Sequence, residues 1–123
     1  MTYRLARRLL LVQVLLLLIG TQMPGAWRAG IEAGLHSPWG LSSWAHFVIF
    51  AGMAVVASAP TLAWPWHRVL LAALALALLT EGLQFFTIDR HPRLVDVGID
   101  LAGAGLGILV GWVIGKWSRL RDA

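Results

Sequence analysis

The side chains in this sequence that can do chemistry are few: His46, Glu81, Gln84, Arg90, Asp96 and Asp100, set among apolar residues. Carboxylates, an imidazole and a guanidinium can recognise a polar ligand by ion pairing and hydrogen bonding, or pass a proton. An ionisable side chain at the centre of a transmembrane helix costs roughly 3 kcal/mol on insertion scales, so Glu81, Asp96 and Asp100 require wet positions or partners. Arg90 is the natural counter-ion for one of them, because a guanidinium can bridge carboxylates bidentately. The same charges could equally form a clasp that locks a loop and binds nothing. The carboxylates with His46 also make an oxygen-rich set of the kind hard divalent cations prefer. No complete motif requires a metal or another cofactor, however, since a nucleophile elbow, a phosphate loop and H-E-x-x-H are all missing.

The elements that must position these groups follow from composition. Of 123 residues, 59% are hydrophobic and 13% charged, and a mean hydropathy of +0.74 describes an integral membrane protein, not a soluble fold. Four spans are expected, at about 5–23, 44–62, 69–88 and 95–115, each near the length needed to cross the hydrocarbon. They make one all-α domain, a four-helix transmembrane bundle. The first span is expected to be a retained helix and not a cleaved signal peptide, because Pro24-Gly25-Ala26 puts proline where a cleavage site needs a small residue. Residues 27–43 read as a loop, with Trp27, Trp39 and Trp44 suited to the interfacial belt. Residues 89–94 form a tight connection.

The formal charge is +4, but the basic residues occupy the ends and short loops, with no aromatic-interleaved stripe for nucleic acid. Orientation accounts for them better. Arg4, Arg7, Arg8, Arg68, Lys116, Arg119 and Arg121 all fall on one side of a four-span topology, which places both termini in the cytoplasm. The six polar residues then converge toward the outer face. With no cysteine, the chain has neither disulfide nor thiolate chemistry.

Gly103, Gly107, Gly111 and Gly115 recur every fourth residue and form one ridge for close helix packing. Asp96 and Asp100 lie over the same face, so they are expected to point into the bundle. Ala73, Ala77 and Glu81 share a face of the third span that Gln84 continues. The third and fourth spans are therefore expected to pack together along these faces. The ridge also offers a route to a second copy or to a membrane-protein partner.

His46-Phe47, then Glu81-x-x-Gln84-x-Phe86-x-x-x-Arg90, then Asp96-x-x-x-Asp100-x-x-Gly103 with Gly107 resemble the VanZ-like membrane proteins over about three of the four spans. The resemblance implies a small multi-pass protein of the bacterial cytoplasmic membrane, in a family named for low-level teicoplanin resistance and without an established biochemical activity. It carries His46, Glu81, Gln84, Arg90 and Asp96 over as matching polar positions. Two departures stand out: Ser42-Ser43 replaces the usual acidic-lysine pair, and Asp100 stands where asparagine is common. The function expected from these readings is an outward-facing polar pocket that binds a lipid head group or cell-envelope precursor. In it Arg90 would pair an anionic group, while His46, Glu81 and Asp96 supply hydrogen bonds. The alternatives are a membrane enzyme acting on a lipid-linked substrate and a structural subunit of a larger complex.

Overall fold

The computed structural model describes residues 1–35, 40–88 and 91–123. Among the described residues all regular structure is helical: α1 (Tyr3–Thr21), α2 (Gly25–Leu35), α3 (Leu41–Ser58), α4 (Trp66–Gln84) and α5 (Leu94–Arg121). Local sequence explains most boundaries. The Thr2 hydroxyl accepts the Leu5 amide at 3.2 Å to open α1. Pro60 stops α3, which ends two residues earlier at Ser58. Asp96 in the first turn of α5 and Arg119 and Arg121 in its last complement the helix dipole. Ala63, in the turn that follows α3, has a φ of 50°, a left-handed conformation that disfavours a side chain.

Two helices, α4 and α5, are long and apolar enough to cross a membrane, with mean hydropathies of 1.4 and 1.9. The first helix carries Arg4, Arg7 and Arg8 within its 19 residues. It satisfies the same requirement only together with α2, from which it is bent by 102°. The described apolar part of α3, Ser42–Ser58, is shorter. The stretch read as a loop, 27–43, therefore needs correction: most of it is helix, because Pro24 ends α1 and starts a new turn whose Arg28 and Glu32 sit one turn apart. The last helix also runs beyond 115, through Arg121.

Contacts at the tips fix how the helices run. At one end, Thr61 donates to the Met1 carbonyl at 3.2 Å, and Gly115 lies beside Pro60. The basic residues of α1 and of the end of α5 gather there. At the other, Gln22 donates to the Leu83 carbonyl at 3.3 Å, Thr87 donates to Gln22 at 3.1 Å, and the Gly25 amide reaches the Ile88 carbonyl at 3.1 Å. Helices α1 and α4 thus run one way, and α3 and α5 the other.

The glycine ridge sits on α3. A Cβ built at Gly103 would meet the Phe47 carbonyl, one at Gly107 would meet the Ala51 carbonyl, and one at Gly111 would lie 2.7 Å from the Ser58 Cβ. Contacts at 47, 51, 58 and 60 matched to 103, 107, 111 and 115 make this a parallel pair. The expectation that the ridge packs on α4 is corrected: α3 brings its own small residues, Ala51, Ala54 and Ser58, to the seam. Backbone approach needs small groups on both sides. The small residues of α4, Ala73 and Ala77, enter the common core with Phe50, Met53, Ala54, Val97 and Ala104.

Candidate functional site

Close packing of α3 on α5 brings His46 against Asp100. The His46 Nδ1 lies 2.9 Å from Asp100 Oδ1, with Asp100 completely buried and His46 only 6% exposed. The imidazole also stacks on Phe50, with ring centroids 6.4 Å apart and planes 21° apart. Held on one face and through Nδ1, the ring has a fixed orientation, and the carboxylate favours the tautomer that carries its proton on Nδ1. Its Nε2 makes no hydrogen bond to a described residue. The second Asp100 oxygen, Oδ2, is buried with no partner among the described residues. Such a group costs on the order of 1–3 kcal/mol in desolvation, more if charged.

Glu81 and Gln84, one turn apart at the end of α4, are 7% and 3% exposed. The Gln84 amide donates to Glu81 Oε1 at 3.4 Å, and the Arg93 backbone amide donates to Oε2 at 2.9 Å. Glu81 thereby ties the end of α4 to the start of α5. It also lies within electrostatic range of His46, Asp96 and Asp100. Asp96 stands at the rim, where its counter-ion is the Arg93 guanidinium at 3.3 Å. Arg90 lies outside the described residues, as do Asp89 and Trp39. Among the described residues no group of three or more His, Cys, Asp or Glu could hold a metal ion.

Arg93 balances Asp96 in charge already in the sequence, whereas Arg28 escaped the reading as a site residue. Arg93 precedes Asp96 by three residues at a helix start, a spacing that puts both on one turn. Arg28 looks neutralised by Glu32 in the sequence, yet no ion pair joins them; Glu32 Oε1 instead faces the Ser42 amide at 3.4 Å. Arg28 lines a cavity of about 100 Å³ with Ser42 and His46, closed by Leu16, Leu17, Gly20, Met23, Ala45 and Ile49. The Arg28 Nε is buried without a partner among the described residues. The bend between α1 and α2 carries Arg28 to this cavity, and one-dimensional spacing gave no sign of it.

Arg28, Ser42 and His46 border this space mainly through carbon, its wall is almost wholly apolar, and it has room for one small group at most. It is too small for a whole lipid precursor. No curated protein and no solved structure matches the chain. A family model described as VanZ/LLP1 matches residues 8–115, which take in α2, α3, α4, most of α1 and α5 and every residue of the polar cluster, and the chain belongs to that family.

Proposed function

We propose that this VanZ/LLP1 protein is a four-span protein of the bacterial cytoplasmic membrane, with both termini cytoplasmic, whose polar end binds the head group of a lipid or cell-envelope precursor. One observation carries the reading: Asp100, fully buried and held by His46 through one oxygen, keeps the other oxygen unpartnered. A buried pair meant only to join two helices gains nothing from that cost. His46 and Asp100 read the polar group, Arg28 and Ser42 stand beside them at the cavity, Glu81, Gln84 and Asp96 shape the neighbouring helix ends, and Arg90 supplies an anion partner. Arg28 also offers a cation beside Ser42, close to where the family resemblance leads one to expect a lysine. Any contribution to teicoplanin-type resistance would follow from sequestering or shielding such a precursor. A partner subunit or second copy would use a surface other than the glycine ridge, which faces α3.

The test replaces both members of the buried pair, since removing one alone destabilises through the charge left behind. The His46→Gln/Asp100→Asn double variant is expected to reach the membrane at the parental level and to lose the change in lipid-linked precursor content that expression of the parent produces. A double variant that reproduces the parental precursor profile would sink the binding site.

A second reading, an enzyme acting on a lipid-linked substrate, is favoured by one arrangement. Ser42 and His46 lie one helical turn apart and border the same cavity, while Asp100 holds the imidazole through Nδ1. Hydroxyl, imidazole and carboxylate in that order are the parts of an acyl- or phosphoryl-transfer site in which histidine takes the proton. Covalent labelling of Ser42 by a fluorophosphonate, absent in Ser42→Ala, would favour the enzyme; no labelling would leave binding as the function.

A further inference from the structure

The opposite, basic end of the bundle holds a much larger space than the polar end. Between α1, α3 and α4 a groove of about 700 Å³ is floored by Phe50, Ala54 and Ala57. Its volume lies within the range of small-molecule sites, roughly 300–1,000 Å³. Arg4, Arg7 and Arg8 all line it, Trp64 stands at its edge, and no acidic residue contributes to its wall. Spacings of three and four residues put the three guanidiniums on one turn of α1. Among the described residues none of the three pairs with a carboxylate. Arg7 instead lies over the Tyr3 ring, 5.8 Å from its centroid.

We infer that this groove binds one anionic phospholipid, with its phosphate on Arg4, Arg7 and Arg8 and one acyl chain along the apolar floor. Charge and length both select this occupant. On α1 the lining runs from Tyr3 to Val14, about 17 Å at 1.5 Å per residue. That matches one leaflet, roughly half of a 30 Å hydrocarbon core, whereas a docked transmembrane helix would need a surface along the full thickness. Guanidiniums without counter-ions at a membrane boundary attract a head group of net negative charge. A zwitterionic head group brings its own cation and satisfies them less well. The inference does not rest on the polar cluster around His46, which lies at the other end.

The purified full chain in a non-ionic detergent is titrated with phosphatidylglycerol or with phosphatidylcholine of the same acyl chains, and bound lipid is counted by native mass spectrometry. One phosphatidylglycerol is expected to saturate the parent, at least tenfold more tightly than phosphatidylcholine. The Arg4→Gln/Arg7→Gln/Arg8→Gln variant should lose about a hundredfold in affinity for phosphatidylglycerol, at roughly fivefold per arginine, and little for phosphatidylcholine. Ala72→Trp, which fills the groove, should lose both lipids. Arg119→Gln/Arg121→Gln, at the same end but off the groove, should keep both. Single Arg7→Gln and Arg8→Gln variants, about fivefold weaker each, decide the matter if the triple variant does not fold. Equal losses from the α1 and α5 variants, unsaturable binding, or a second chain or another protein retained in place of the lipid would each overturn the inference.

Discussion

The two sides of α3 are packed in opposite ways. Toward α5, backbone meets backbone: a Cβ at Gly103 or Gly107 would run into main-chain carbonyls of α3, so nothing fits between the helices. Toward α1, the contact at Gly52 is the end of the Gln13 side chain, and further along the helix the surfaces part into the 700 Å³ groove. Where backbones touch, position is fixed, and the His46–Asp100 pair sits at the end of that seam. Where side chains mediate, space is left, and the groove is the result. The contrast separates a face that sets geometry from one that can admit a ligand.

The largest effect should come from breaking the tight face. Gly107→Leu puts a branched side chain where the Ala51 carbonyl and the Ala54 Cβ, 2.6 Å from a built Cβ, leave no room even for a methyl group. Overpacking costs about 1–3 kcal/mol where side chains can move, and the upper end or more is expected here because backbone must move. Gly98, inside α5, has nothing within 4 Å of a built Cβ, so Gly98→Leu should not destabilise and should gain about 0.5–0.8 kcal/mol of helix propensity. Unfolding in detergent measures both; equal losses would mean that the ridge is not a packing face.

Next in size is His46→Ala, which leaves Asp100 buried without its partner. Breaking a buried pair from one side costs about 3–5 kcal/mol in water-soluble proteins, and protonation of the abandoned carboxyl would reduce that. We expect about 2 kcal/mol. Asp100→Asn should restore part of the loss in the His46→Ala background, with a coupling of about 1–2 kcal/mol between the sites. Strictly additive single and double variants would show that the contact carries no energy.

How much of this was legible beforehand depends on the distance over which a signal acts. The all-helical, apolar character, the glycine ridge and the clustering of the basic residues at one end all follow from composition and from periods of three or four residues. Asp100, on the ridge face, was placed inside, and it is completely buried. The partner of the ridge was not legible from the glycines alone. Adjacent helices joined by a short loop are the default neighbours, but Ala51, Ala54 and Ser58 on α3 offer a small face matched to the ridge. Reading both helices for small residues would have found the seam. Arg28 was hidden for a different reason: its role depends on a 102° bend at Pro24, and a charge four residues from an opposite charge reads as already paired.

On the looser face a substitution of the opposite sign is expected. The Gln13 Oε1 is buried and has no partner among the described residues, and an unsatisfied buried acceptor costs about 1–3 kcal/mol. Gln13→Leu removes it at similar volume and should stabilise the protein by about 1 kcal/mol, seen as a higher unfolding temperature in detergent. A loss of stability would mean that the amide is already satisfied by water or lipid and that this face is better determined than its packing suggests.

The smallest effect, and the sharpest measure of the contrast, is Gly52→Ala. Its built Cβ lies 2.6 Å from Gln13 Nε2, as close as the Ala54 Cβ is to the one at Gly107, but the obstacle is the tip of a flexible side chain and not main chain. Gln13 can swing aside at a rotamer cost on the order of 1 kcal/mol, and alanine recovers about 0.8–1 kcal/mol of helix propensity over glycine. The two nearly cancel, so Gly52→Ala alone should be within about 0.5 kcal/mol of the parent. With Gln13→Ala the obstacle is gone while the propensity gain remains, and adding Gly52→Ala to that background should stabilise by about 0.5–1 kcal/mol. If Gly52→Ala instead destabilises as strongly in the Gln13→Ala background as in the parent, α1 itself is pressed against α3, and the two faces of α3 do not differ in kind.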